Sequence, residues 1–461
     1  MTTSSIYQTI NPATGEVLNE YPTIGDGEVD TVVQQSVDAF NEWRKLTVEQ
    51  RAAKVERLAQ LFEDNVDELA AIMTKEMGKP LAEAVEETEF SAEIFRYYAT
   101  NGAKLAGDQK VSEDDEIVSY IQRRPVGPLL GIMPWNFPYY QIARFAAPNL
   151  VLGNTIILKH AESCPESALA MQRMMDEAGI PEGVYQNVFA NHEQIASIIA
   201  HPKIQGVSLT GSERAGAAIA EQAGKNLKKA VLELGGSDPY VVLSTDDVKA
   251  AAKQAFITRM ENTGQACNSN KRIIVMDDIY DEFVAEMKAL ASALTPGDPT
   301  AGDENTYSPL SSEKAADTLM AQLDEAKAAG ATIHVGGSRP DLPGFYVQPT
   351  VITDIPQGSE VYYEEFFGPV VNIFRVESDE QALELANDTQ YGLGSAVFAT
   401  DQERAEKFAE QLDAGMVGAN ASPEESAEVT FGGVKRSGYG RELGPVGMDE
   451  FVNKRLMTVK K

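Results

Sequence analysis

Over residues 28–43 apolar side chains return at Val29, Val33, Val37, Phe40 and Trp43, the spacing of one helical face. A second helix is marked more sharply. Thr47 and Gln50 form a capping-box pair, Val55, Leu58, Phe62, Val66, Leu69 and Met73 share a face, and Gly78 and Pro80 stop the run. A third helical stretch is predicted over residues 81–105, and all three helices turn acidic faces outward.

Beyond residue 114 the pattern changes. Ile117, Ser119, Ile121 and Arg123 alternate like an exposed strand as far as Pro125, which predicts an arm that pairs elsewhere, as in a partner subunit. Short apolar runs follow at 129–133, 155–159, 183–189, 206–209 and 230–234, separated by helical stretches. Strand and helix alternating in this way predict a parallel sheet covered on both faces, with ligands at the carboxyl ends of its strands. A second alternating region, with strands near 240–243, 272–275, 332–335, 347–351, 370–376 and 395–398, predicts a separate α/β domain. Residues 295–309 read as a surface loop, 432–444 are dense in glycine and charge, and 455–460 form a strand-like tail.

The chain has 461 residues, enough for two or three domains, and its 43% hydrophobic content can fill their cores. No apolar run approaches the roughly 18 to 20 residues of a membrane span. The Met-Thr-Thr-Ser-Ser start lacks the basic and apolar parts of a secretory signal, and two cysteines suit a reducing compartment, so a cytoplasmic location is expected. Seventy acidic against 39 basic residues give a net charge of -31, which repels nucleic acid and anionic membranes. Such acidity has two readings: an ordinary acidic cytoplasmic protein, or adaptation to high salt, where counterions screen the repulsion.

Chemistry enters with Glu233, which opens Glu-Leu-Gly-Gly, and Cys267, which closes Gly-Gln-Ala-Cys 34 positions later. A thiol attacks electrophilic carbon, and a carboxylate can activate the water that hydrolyses the resulting thioester. None of the four histidines lies near Cys267 in sequence, so a Cys-His pair has no support. Each candidate also has a plainer reading. Cys267 could be a small buried hydrophobe, as Cys164 is expected to be, and Glu233 an exposed loop carboxylate. Asn136, fixed between two prolines in Pro-Trp-Asn-Phe-Pro, could stabilise an oxyanion or bond to its own turn. Lys159 and Glu162 could hold hydroxyl groups or be polar loop. Thr210-Gly211-Ser212 could admit a phosphate at a helix start or be a common turn, and it departs from the G-x-G-x-x-G fingerprint.

The order of these segments is more telling than any one of them. With Glu-Glu-Phe-Phe-Gly-Pro at 364–369 and Phe-Gly-Gly-Val-Lys-Arg-Ser-Gly at 431–438, they run through nearly the whole chain from Asn11-Pro12 onward, and together they resemble the aldehyde dehydrogenase superfamily. The resemblance implies an α/β fold: a Rossmann-like parallel-sheet NAD-binding domain (1–107 and 124–235), a second α/β catalytic domain (236–434), and a small β oligomerisation arm with the C-terminal tail (108–123 and 435–461). It implies Cys267 as nucleophile, Asn136 with the Cys267 N–H as oxyanion hole, and Glu233 as the base for thioester hydrolysis, which favours a hydrolytic over a CoA-acylating enzyme. For the cofactor it implies Lys159 and Glu162 at the adenosine ribose, Trp135, Gly211 and Ser212 at the pyrophosphate, and Glu365 and Phe367 at the nicotinamide ribose. Glu162 favours NAD, with NADP the alternative. No metal is expected.

Within the superfamily the chain looks like the succinate-semialdehyde group. Arg144, six residues after Pro138, matches an arginine that meets the substrate carboxylate there, and Ser426 matches an assisting serine. Glu261 departs from the pattern, standing where some of those enzymes have a second arginine. The competing substrates are betaine aldehyde, sugar-derived aldehydes, or a broad range; the competing non-enzyme reading is a silent structural member. A homodimer or homotetramer is expected.

Overall fold

The computed structural model describes residues 6–303 and 305–461; the Met-Thr-Thr-Ser-Ser start lies outside them. Thr47 closes its box as expected, accepting from Gln50 N at 3.3 Å while Gln50 accepts from Thr47 N at 2.9 Å. The helix it starts does not run through to Met73. It ends at Asp64, and a new helix, Val66–Met77, begins after Asn65, whose φ of -122° leaves the helical region and whose Nδ2 donates to Leu61 O at 2.8 Å. An asparagine that bonds its own backbone breaks the helix without disturbing the apolar face, so periodicity alone could not show it. Val55, Leu58, Phe62, Leu69 and Met73 stay on one buried face against Phe95 and Tyr139. The helix Leu81–Leu105 matches the expected bounds.

The first sheet runs Gly438–Tyr439, Lys229–Glu233, Gly206–Thr210, Pro128–Ile132, Thr155–Lys159, Tyr185–Asn187. Its last five strands are parallel, and Gly438–Tyr439 joins antiparallel to Leu232 and Glu233. The expected tail beginning at residue 435 therefore also supplies a strand to this sheet. Strand order reverses beside Pro128–Ile132, so a crevice opens at the carboxyl ends of that strand and of Gly206–Thr210. The second sheet holds Thr332–Val335, Thr350–Thr353, Val370–Val376, Arg272–Met276, Pro239–Val242, Ala396–Phe398 and Gly418–Ala419, parallel except for its first strand. The strand expected at 347–351 starts only at Thr350 because Pro349 has no N–H to give and Gln348 N bonds Ser338 O.

The alternating strand, Ile117–Pro125, pairs within its own chain, between Gln109–Glu113 and the C-terminal Val452–Lys460. The hairpin Ile6–Asn11 and Glu16–Pro22 was not foreseen. The loop at 295–309 contains two short paired strands, Thr295–Pro296 and Thr306–Tyr307. Among the described residues no helix is long and apolar enough to cross a membrane.

Candidate active site

Cys267 follows a strained turn. Asn262, Thr263 and Gly264 take left-handed backbone at φ 47°, 55° and 75°, which for the threonine costs on the order of 1–3 kcal/mol. Buried polar side chains hold it there. Asn262 Nδ2 donates to Asn136 O at 2.9 Å, and the buried Arg259 guanidinium donates to the carbonyls of Gly264, Phe366, Gly368 and Val370 at 2.7–3.1 Å. Lys271 Nζ donates to Ala266 O and Cys267 O, both at 2.7 Å, and pairs with Glu365 at 3.1 Å. The sequence reading missed Asn262, Arg259 and Lys271; the only trace of them is basic residues beside strands too apolar to be surface.

Glu233 ends the strand Lys229–Glu233 with its backbone carbonyl accepting from Gly211 N at 2.9 Å. Its carboxyl group is 2% exposed and neither oxygen has a hydrogen-bond partner. Burial, then the nearby Glu442 charge, push its pKa well above the ordinary carboxylate range. On the same loop a Cβ at Gly236 would lie 2.6 Å from Cys267 O, so only glycine allows the base-bearing and thiol-bearing turns to touch. Asn136, 4% exposed, donates one Nδ2 hydrogen to Gln265 O at 3.1 Å and keeps the other for a ligand. His160 braces that segment: its Nε2 meets Pro138 O at 3.0 Å, and burial lowers its pKa to about 4, so the ring is neutral. Burial pushes the Cys267 thiol up to about 12 against the opposing charges of Arg144 and Lys271. Cys164 is fully buried, as expected of a packing residue.

Cys267 lines a cavity of about 230 Å³ together with Phe90, Phe137, Tyr140, Phe431, Gln141, Asn268 and five glutamates, Glu83, Glu86, Glu87, Glu261 and Glu425. Neither expected substrate residue is on its wall. Ser426 is half-buried beside Glu425, and it is the glutamate that faces the cavity. Arg144 is fully buried behind the wall, its guanidinium 4.7 Å from the Tyr140 ring centre and 4.3 Å from that of Phe431, and its Nε is 2.8 Å from Glu442 Oε2 in an ion pair bent too far for a hydrogen bond. A guanidinium that has a carboxylate partner and two aromatic faces holds the wall's shape. Arg144→Ala leaves Glu442 buried and uncompensated, so it should destabilise the fold by ~3–5 kcal/mol. It should also lower kcat/KM by the same factor for hexanal and for succinate semialdehyde. A loss confined to the carboxylate substrate would restore Arg144 to a direct contact.

The expected cofactor residues lie at the crevice of the first sheet. Ser212 caps the helix Glu213–Lys225, its Oγ accepting from Ala215 N at 3.3 Å. A Cβ at Gly211 would meet only Leu209, at 3.7 Å, so packing gives no reason for glycine there, and the open space faces the positive end of the helix. Lys159 Nζ, at the end of its strand, lies 3.6 Å from the half-exposed Glu162 carboxylate, leaving a cation and an anion at the rim. Trp135 and Phe367 meet edge to face at 5.7 Å, and Glu365 accepts from Gly236 N at 3.1 Å beside the thiol loop. A phosphate-sized opening, a rim for hydroxyl groups and an aromatic pair leading to Cys267 fit an extended dinucleotide.

The family model described as "Aldehyde dehydrogenase family" matches residues 1–457. The chain belongs to this family. This aldehyde dehydrogenase is 48% identical over 451 residues to a succinate-semialdehyde dehydrogenase [NADP(+)] of Deinococcus radiodurans, covering 98% of this chain and 94% of that one. It is 41% identical over 454 residues to the protein of the same name from Mycobacterium avium, covering 98% and 96%. Its structure is similar to the crystal structure of succinic semialdehyde dehydrogenase from Streptococcus pyogenes in complex with NADP+, with a TM-score of 0.95, 40% identity, and coverage of 99% of this chain and 100% of that one. The α/β architecture expected for an aldehyde dehydrogenase is thus present, parallel sheets included.

Proposed function

We propose that the protein oxidises succinate semialdehyde to succinate with NAD(P), Cys267 being the nucleophile, Asn136 and the Cys267 N–H the oxyanion hole, and Glu233 the hydrolytic base. The observation that carries this reading is the meeting of Cys267 with Asn136 and the Glu233 loop at the floor of one cavity. The names borne by the relatives supply the substrate. Cys267 Sγ bonds to the aldehyde carbon, and the charge gathering on the carbonyl oxygen is met by the free Asn136 Nδ2 hydrogen. The nicotinamide of the bound cofactor supplies the hydride acceptor. Glu233 then takes a proton from the water that cleaves the thioester and frees the thiol.

Trp135, Gly211, Ser212, Lys159, Glu162, Glu365 and Phe367 are assigned to the dinucleotide. The Glu162 carboxylate opposes a 2′-phosphate, which favours NAD, while Lys159 beside it offers that phosphate a cation, consistent with relatives named for NADP. The same reading places the enzyme in the cytoplasm as a homodimer or homotetramer, joined through the sheet that exposes Leu456 and Val459, with the acidic surface serving at high salt. A panel of succinate semialdehyde, glutarate semialdehyde, glyceraldehyde and hexanal, with each cofactor and at several KCl concentrations, tests it. Reduced cofactor should form fastest from succinate semialdehyde, with NAD the better cofactor; no reduced cofactor from any aldehyde overturns the reading.

A further inference from the structure

The wall of the cavity around Cys267 carries a charge pattern that the substrate proposed above does not use. Five glutamates line it and no lysine or arginine does. Three of the five have partners: Glu87 is paired with the buried Lys79, Glu83 accepts from Asn262 N at 2.6 Å, and Glu425 accepts from Asn268. Among the described residues Glu86 and Glu261 have no ion-pair partner. Elsewhere on this acidic protein carboxylates are commonly answered by lysine or arginine, as Glu63 is by Arg96 and Asp379 by Arg404. Glu261 is the uncompensated centre: burial, then the charges of Glu425 and Glu83, push its carboxyl up to about 7.

The same cavity is walled by aromatic rings. Phe90 stacks on Tyr140 with ring centres 5.3 Å apart, and Tyr140 meets Phe137 and Phe431 edge to face at 5.9 and 6.4 Å. Ring faces and unpaired carboxylates attract the same kind of group, a large, weakly hydrated cation. Arg144, the nearest buried cation, is already matched by Glu442 and does not oppose this field.

We propose that this cavity also accepts aldehydes with a fixed positive charge at the far end, ω-trialkylammonium aldehydes, the ammonium lying among Glu261, Glu425 and the aromatic rings while Cys267 attacks the carbonyl. This rests on Cys267 being the aldehyde-attacking thiol. The chemistry is unchanged: the aldehyde carbon gives up a hydride, with its electron pair, to NAD(P)+ and gains one oxygen from water, two protons are released, and the ammonium group keeps its bonds.

The test compares 4-(trimethylammonio)butanal with its uncharged carbon isostere, 5,5-dimethylhexanal, in the intact enzyme. The pair differ in charge and scarcely in shape, and neither can cyclise as a primary aminoaldehyde does. At low ionic strength kcat/KM for the cation should exceed that for the isostere by about 10-fold or more, the range that a focused field of one sign produces, and the ratio should shrink as KCl is added. Succinate semialdehyde, with a carboxylate at the same end, should respond to salt in the opposite sense. Glu261→Gln with Glu425→Gln should bring the cation-to-isostere ratio toward one. A ratio near one in the wild type, or a ratio the double variant leaves intact, overturns the proposal while oxidation of the isostere upholds the aldehyde dehydrogenase reading. If none of the three aldehydes yields reduced cofactor, both readings fall.

Discussion

Glu233→Gln is expected to give a first burst of reduced cofactor, close to one per active site, and then to turn over about 10²- to 10⁴-fold more slowly than the wild type. The burst survives because bond formation at Cys267 and hydride departure need no group on Glu233. Later turnovers suffer because glutamine cannot take the proton of the hydrolytic water. The site makes this substitution informative: both Glu233 oxygens lack partners, so an amide of the same shape breaks no hydrogen bond. Burial raises the Glu233 pKa, so the base is protonated below that value and hydrolysis should accelerate as pH rises through it. In the variant that limb should vanish from the steady-state rate. Rapid-quench or stopped-flow measurement separates the two phases, and full steady-state activity in Glu233→Gln would remove the residue from the hydrolytic step.

Cys267→Ala should abolish both phases, lowering the rate by about 10⁴- to 10⁶-fold, the scale seen when a covalent nucleophile is deleted. Dinucleotide binding should persist, since the Ser212 helix and the Lys159 rim lie on the other sheet. The thiol is held well above neutrality by burial, with Arg144 and Lys271 pulling the other way, so most of it is protonated in the free enzyme at pH 7. Alkylation by iodoacetamide should therefore climb about tenfold per pH unit between 7 and 9. The label should fall on Cys267 and spare Cys164, which is sealed in the core. Residual oxidation in Cys267→Ala, or labelling at Cys164 instead, would displace the nucleophile from this position.

The long regular elements were legible because their signals are local and repeated. Leu81–Leu105, Thr155–Lys159 and Val370–Val376 each have enough residues for periodicity or continuous apolarity to define them. Two-residue strands such as Gly418–Ala419 and Gly438–Tyr439 have no such pattern and exist only because a neighbouring strand accepts them. The residues expected to do the chemistry were visible because turns at strand ends hold unusual side chains. Their supports were not: Arg259 and Lys271 are ordinary surface residues by type, and only tertiary packing turns them into buried donors for carbonyls around the thiol. Arg144 shows the complementary error. A guanidinium reads as a carboxylate ligand, and the sequence could not tell that the carboxylate it meets is Glu442 of its own chain, almost 300 positions on.

The strand at Gly438–Tyr439 has a consequence for how the molecule comes into being. It lies against Leu232 and Glu233, and Ser437 O accepts from Leu234 N at 3.0 Å, so the loop bearing the base is clamped by a segment the ribosome makes almost last. Residues synthesised early fold first. A nascent chain can thus carry its thiol and its dinucleotide crevice while still lacking a finished hydrolytic centre, and becomes an enzyme only on release.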